Sequence, residues 1–236
     1  MKEGKIVEIT PLYEKTIKCP LCSNSFKSSK IRSRFIRVLE QKSDFQTVYQ
    51  DPAINPSLYF IQVCNYCGYS FSEDFTPYFP PATRELINSK VSEKWSGKNF
   101  SSIRTERMAI QAFKLAAYCA QLKREKEITL AGLYLRLSWL YREIDDLEQE
   151  KRFQRLAVQS YITSYSNDDY RGTKMSTVRI LYIIAELSLR LDNEQQATRY
   201  FSIIIEKQKQ ATEPKIVQMA KERWQGLRES RNHAPI

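Results

Sequence analysis

Two pairs of cysteines carry the clearest chemistry in the 236-residue chain: Cys19-Pro20-Leu21-Cys22 and Cys64-Asn65-Tyr66-Cys67-Gly68. A Cys-x-x-Cys turn directs two sulfurs at one ion. Zinc favours four soft ligands in a tetrahedron, so two such turns complete its shell. A shell closed by Cys19, Cys22, Cys64 and Cys67 leaves no position for a substrate. The expected cofactor is therefore a structural Zn2+, and the expected task of the four thiolates is to hold a fold together.

The elements that position these ligands follow from the flanking residues. The pairs are separated by 41 residues, well beyond the roughly 15–20 of a compact four-cysteine finger, so the insert must be structured. Thr16-Ile17-Lys18 predicts a strand entering the first knuckle, Ile31–Leu39 a second strand, and Leu58–Val63 a third entering the second knuckle. Asp51-Pro52 and Asn55-Pro56 mark turns between them. After the second cysteine of each knuckle the chain turns tightly. Gly68 suits that place, whereas the first knuckle has Ser23. Tyr66, Tyr69, Phe71, Phe75, Tyr78 and Phe79 then supply the apolar area that a small ribbon lacks. Pro77, Pro80 and Pro81 break regular structure, which sets the expected domains at 1–81 for the metal module and 82–236 for the remainder.

Beyond a short amphipathic segment at 83–94, apolar residues recur every three or four positions. They predict helices near 101–124, 128–145, 147–166, 174–191, 193–210 and 214–230. Asp192 with Gln195 is the expected cap of the fifth, and Pro214 is tolerated in the first turn of the sixth. A small residue followed four positions later by an aromatic one recurs at Ala109 and Phe113, Ala157 and Tyr161, and Ala197 and Phe201. Such a pair lets a neighbouring helix approach closely and fills the groove beside it. Ile184-Ala185-Glu186-Leu187 with Asp192, Ala197 and Phe201 resembles a tetratricopeptide repeat. The hairpin containing Trp139, Tyr141, Ala157 and Tyr161 fits only with about seven extra residues, two helical turns, between its helices.

The expected fold is thus α+β: a small four-cysteine, zinc-ribbon-like β module followed by an all-α, tetratricopeptide-like helical-repeat domain. The chain as a whole resembles the bacterial family called domain of unknown function 2225. The marks are the Cys-Pro-x-Cys opening, Asn55-Pro56, the knuckle at Cys64–Tyr69 and the helix from Leu130 to Glu143. That resemblance implies the four cysteines as metal ligands and repeat-like helices, and no activity.

Function classes narrow by charge and by absence. The formal charge is +10, but residues 1–97 carry 13 basic and 10 acidic side chains and residues 98–236 carry 24 and 17. The excess is therefore spread over solvated faces. Its one concentration is Lys27, Lys30, Arg32, Arg34, Arg37 and Lys42, a basic strand that offers the alternative of nucleic-acid binding. His233 is the single histidine, and phosphate-cradling and nucleophile-elbow motifs are missing, so no enzyme is expected. The Glu143, Asp145 and Asp146 cluster reads as a solvated turn, and Cys119 in its apolar patch as an inert buried thiol. No run of 18 apolar residues occurs, and Met1–Lys5 lead into no signal core. The expected protein is cytoplasmic, without a membrane partner, and acts as a non-enzymatic adaptor for an unknown protein or peptide.

Overall fold

The structure, a computed structural model, describes residues 9–232; Met1–Lys5 and His233 lie outside the described residues. The fold is α+β, with six short strands in three antiparallel pairs and seven α-helices among the described residues. The chain forms two compact units. One runs to Lys42 and from Thr47 to Lys123, and the other takes Ser43–Gln46 and the chain from Arg124 onward. The division thus falls well beyond the expected junction at Pro81.

In the first unit β1 (Leu12–Lys18) pairs with β2 (Ser25–Ile31), β3 (Val38–Gln41) with β4 (Thr47–Tyr49), and β5 (Gln62–Val63) with β6 (Ser70–Phe71). The single strand expected over Ile31–Leu39 is not formed. The β1–β2 ladder ends at Leu12 opposite Ile31, and the Arg32 N–H reaches the Pro11 carbonyl at 2.8 Å. With no partner left, Ser33–Phe35 turns into a 3₁₀ helix before β3 begins. The strand expected over Leu58–Val63 is likewise shortened. Asp51 and Asn55 cap successive Pro-led 3₁₀ turns through Ala53 and Ser57 N–H, and the second turn continues to Tyr59.

Helices α1 (Thr83–Lys90) and α2 (Glu106–Lys123) belong to this unit for a physical reason. Three two-stranded ladders bury too little apolar area to be stable alone. Ile87 within α1, Val91 just past its end and Cys119 of α2 join Phe26, Tyr69 and Phe79 in one core around the paired cysteines. Ala109, Phe113 and Ala116 of α2 are fully buried, with the Phe113 ring stacked on Phe60 at 5.8 Å, so this helix packs into the first unit. Arg104 closes the segment ahead of α2. Its buried guanidinium donates to the Phe100, Leu58 and Ile61 carbonyls at 2.8, 3.2 and 2.7 Å. Burial lowers its pKa to about 10, which leaves it charged at neutral pH.

The second unit is built from α3 (Glu127–Glu143), α4 (Leu147–Asn167), α5 (Thr177–Arg190), α6 (Glu194–Glu206) and α7 (Pro214–Asn232). The turns joining α3 to α4 and α5 to α6 are alike. In the first, Asp146 N–H bonds the Tyr141 carbonyl and Asp145 N–H that of Arg142; in the second, Asn193 bonds Ser188 and Asp192 bonds Leu189. These are Schellman closures, with Asp145 (φ 56°) and Asp192 (φ 62°) in the left-handed place that glycine usually takes. Asp146 and Asn193 then cap the next helices through Gln149 and Gln196 N–H. The expected cap at Asp192 is therefore displaced by one residue, because Asp192 already closes α5.

Candidate metal centre

Each cysteine pair sits at the tip of one hairpin. The β1–β2 register ends with Lys18 opposite Ser25 and the β5–β6 register with Val63 opposite Ser70, so the loops Cys19–Asn24 and Cys64–Tyr69 are the knuckles. Both fold with the same two backbone bonds. Ser23 N–H reaches the Cys19 carbonyl at 2.9 Å and Cys19 N–H that of Asn24 at 2.9 Å; Gly68 reaches Cys64 at 2.8 Å and Cys64 reaches Tyr69 at 3.0 Å. The turn requires positive φ at its fifth residue, and Ser23 adopts 61° where Gly68 adopts 70°. Ser23 therefore bears the strain that its position in the sequence implies.

The two knuckles bring all four sulfurs within 4.8 Å of one another. Cys19 Sγ lies 3.7 Å from Cys67 Sγ, and Cys22 Sγ 3.7 Å from Cys64 Sγ. A disulfide requires about 2.05 Å, and all four cysteines are free. A tetrahedron with metal–sulfur bonds of about 2.3 Å, the zinc value, has edges of about 3.8 Å. The donor set and its spacing thus fit a metal ion held by Cys19, Cys22, Cys64 and Cys67.

The four thiols cannot all ionise together. A hydrogen bond from the Cys67 thiol holds Cys19 down at about 5 against the effect of burial, with help from the Cys22 and Leu21 N–H groups. Cys67 is driven far upward because it keeps the proton it donates to Cys19 and is itself buried. Burial pushes Cys64 up to about 11. Four thiolates cannot share so small a volume without a cation to offset their charge.

Family comparison matches residues 12–227 to DUF2225, described as an uncharacterized protein conserved in bacteria. The chain belongs to this family. The match includes all four cysteines of the DUF2225 centre and parts of both units. No curated protein and no solved structure matches the chain.

Residues that support the DUF2225 knuckles came from places the sequence did not mark. Trp95 donates its indole N–H to the Asn65 carbonyl at 2.9 Å and lays its ring against Gly68, where an added Cβ would stand 2.5 Å from Trp95 Cε3. Arg84 on α1 donates to the Pro20 and Leu21 carbonyls at 3.1 and 3.2 Å while its guanidinium lies 4.1 Å from the centre of the Phe79 ring. Asn24 donates to Cys22 Sγ at 3.5 Å. Of the aromatic run, Tyr69, Phe71, Phe75 and Phe79 pack into the core, whereas Tyr66 and Tyr78 are exposed. Cys119 accepts the Ser70 N–H at 3.5 Å, and burial pushes it up to about 12, so it is the protonated, inert thiol expected of it.

The other candidate residues do not assemble into sites. Lys27 and Lys30 pair with Glu14 and Glu73, each at 2.7 Å. Arg32 donates to the Thr10 carbonyl and covers the Tyr13 ring, and Arg34 covers Phe35. With Lys27 and Lys30 on β2, Arg34 in a 3₁₀ turn, and Arg37 and Lys42 flanking β3, the basic residues form no single strand. Asp145 and Asp146 belong to the α3–α4 turn, and Glu143 accepts from Gln46 Nε2 at 3.3 Å. No helix among the described residues is long and apolar enough to cross a membrane.

Proposed function

We propose that this is a non-enzymatic cytoplasmic zinc protein that works as a protein–protein interaction adaptor through a helical unit of tetratricopeptide-like repeats. Zinc is the ion we assign to the four cysteines, because a closed four-thiolate shell suits a structural site and offers no open position for chemistry. The observation that carries the adaptor reading is the repeated helical hairpin. α3–α4 and α5–α6 share the same Schellman turn and the same capping at the start of the second helix. Stacked hairpins of this kind expose an extended face that suits peptides and protein segments. Against nucleic acid stands the dispersal of the basic stretch over β2, a 3₁₀ turn and the flanks of β3, with Lys27 and Lys30 already paired to Glu14 and Glu73, which works against simultaneous phosphate contacts.

The test uses the immobilised full chain and its Arg32→Gln/Arg34→Gln/Arg37→Gln variant with a nuclease-treated extract, beside a titration with generic RNA and DNA at two salt concentrations. Both chains should retain the same protein partner, and nucleic-acid affinity should be weak and lost at moderate salt. Tight nucleic-acid binding that disappears in the variant, with its logarithmic salt slope flattened by about two to three, would overturn the adaptor reading.

A further inference from the structure

The four sulfurs are arranged for chemistry with one another as well as with an ion. The contacts of 3.7 Å join Cys22 to Cys64 and Cys19 to Cys67, so each runs from one knuckle to the other. Either gap is about 1.7 Å longer than a disulfide, a distance that rotation of the two side chains covers. A bond across the knuckles would tie the β1–β2 tip to the β5–β6 tip as the ion does. A bond within Cys19–Cys22 or Cys64–Cys67 would leave the two hairpins unconnected.

The four are not equally open to a reagent. Cys19, Cys64 and Cys67 are buried, whereas Cys22 is partly exposed. The buried sulfurs accept backbone N–H bonds: Cys19 from Leu21 and Cys22, Cys64 from Tyr66 and Cys67, and Cys67 from Tyr69. Cys22 accepts from the side chain of Asn24, an exposed residue, at 3.5 Å. A hydrogen bond to a thiolate stabilises its charge and lowers its nucleophilicity. The Asn24 amide can swing away into water, where a backbone N–H in a closed turn stays in place. The Arg84 guanidinium, held on the Pro20 and Leu21 carbonyls at 3.1 and 3.2 Å, adds positive charge to the knuckle immediately before Cys22. Partial exposure beside a fixed cation is the setting in which cysteines react. Cys119 is fully buried and stands outside the four-sulfur cluster.

We propose that Cys22 is a peroxide-oxidation site that opens the metal centre, and that Cys64 resolves it to form the first of two disulfides between the knuckles. The inference rests on the zinc reading of the four cysteines and adds its regulation. The Cys22 thiolate attacks one oxygen of hydrogen peroxide. An S–O bond forms, the O–O bond breaks, and hydroxide leaves, with Cys22 now a sulfenic acid. The Cys64 thiolate then attacks the Cys22 sulfur. The S–S bond forms, the S–O bond breaks, and a second hydroxide leaves, so that two thiolates have given two electrons to one peroxide. Cys19 and Cys67 are then too few to close a shell around zinc, and a second peroxide joins them by the same two steps. Thiols reverse both disulfides by exchange.

The test treats the zinc-loaded full chain with hydrogen peroxide, follows free zinc with a chromogenic chelator, and maps disulfides by mass spectrometry after alkylation of the remaining thiols. The first disulfide should be Cys22–Cys64, accompanied by release of the zinc, with Cys19–Cys67 following. Far-ultraviolet circular dichroism should be retained, and dithiothreitol with zinc should restore the metal content. Asn24→Ala should release zinc about two- to tenfold faster, the equivalent of one lost hydrogen bond, and Cys119→Ala should match wild type. A first disulfide within either knuckle, release that requires Cys119, or Asn24→Ala no faster than wild type overturns the proposal. Should Asn24→Ala fail to hold zinc before peroxide is added, the order of disulfides in wild type decides. A chain that binds no zinc would overturn the metal reading and this inference together. A chain that holds one zinc and keeps it through millimolar peroxide overturns this inference alone.

Discussion

The two knuckles make opposite predictions at one equivalent position. In Gly68→Ala, the residue must hold φ 70°, which costs an L residue about 1–2 kcal/mol. Its Cβ would stand 2.5 and 2.6 Å from Trp95 Cε3 and Cδ2, so the indole must move. That movement endangers the 2.9 Å bond to the Asn65 carbonyl, worth about 0.5–1.5 kcal/mol net. Alanine's smaller unfolded-state entropy returns about 0.4–1 kcal/mol. The expected net destabilisation is about 1–2 kcal/mol, more if the indole cannot find another packed position. For Ser23→Gly the strain is relieved without a clash, and the same entropy term now opposes the gain, so the change should lie within about 1 kcal/mol of zero or be stabilising. Denaturant unfolding of the zinc-loaded full chain, followed by Trp fluorescence, measures both. An alanine at position 68 as stable as wild type would refute the argument that Trp95 closes the knuckle.

Replacing any of Cys19, Cys22, Cys64 or Cys67 with Ser should abolish stoichiometric zinc and unfold the first unit, since structural zinc contributes on the order of 10–16 kcal/mol of apparent binding free energy; elemental analysis of reduced, unchelated wild type should find one zinc per chain, and a content near zero would remove the site. Asp44→Asn should cost about 3–5 kcal/mol, because it leaves Arg142 and Arg190 without their shared buried carboxylate, and a melting temperature within a degree of wild type would refute this. Burial alone would raise the Asp44 pKa, but hydrogen bonding to Arg142 and the charges of Arg142 and Arg190 outweigh it and hold the group below its ordinary 3.8. Its stabilisation is therefore complete above the unfolded carboxylate pKa of about 3.9 and is lost as pH falls through the lower folded value, so the gap between wild type and Asp44→Asn in thermal melts should close only in that acid range. Ala197→Leu at a fully buried position should cost about 1–3 kcal/mol by overpacking, against little for Gln195→Leu at an exposed position of α6; equal melting shifts would mean that no helix crosses at Ala197.

The cysteine centre was legible because each knuckle is local: its ligands are three residues apart, and the chemistry of thiolates leaves few alternatives. The helices were legible for a similar reason, since a periodicity of three to four residues is written along a single segment. The strand expected at Ile31–Leu39 failed because β composition describes a surface and says nothing about a partner, and the ladder runs out at Pro11. Pro77, Pro80 and Pro81 did break the chain, but the core around the four cysteines needed Ile87, Val91 and Cys119 from beyond them. Asp44 left no signal at all. It is one acid in a polar loop, and its closest cation, on Arg142, is 98 positions away.

The spacing of small and aromatic residues was a true signal of packing and a false guide to register. Aligned on Ala157 and Ala197, the two hairpins require two extra helical turns between their helices. Aligned on the Schellman closures at Asp145 and Asp192, the connections need no insertion, and the additional length lies within α4, which has 21 residues where α6 has 13. Ala157 and Ala197 are both fully buried, at different distances from their caps. A small residue marks where a neighbouring backbone comes close, and that place shifts when a helix lengthens. The turn is fixed instead by its own hydrogen bonds and by one left-handed residue, so it stays constant while the crossings move. What recurs in this unit is the turn, carried by the Asp145-Asp146 and Asp192-Asn193 dipeptides, each closing one helix with its first residue and starting the next with its second.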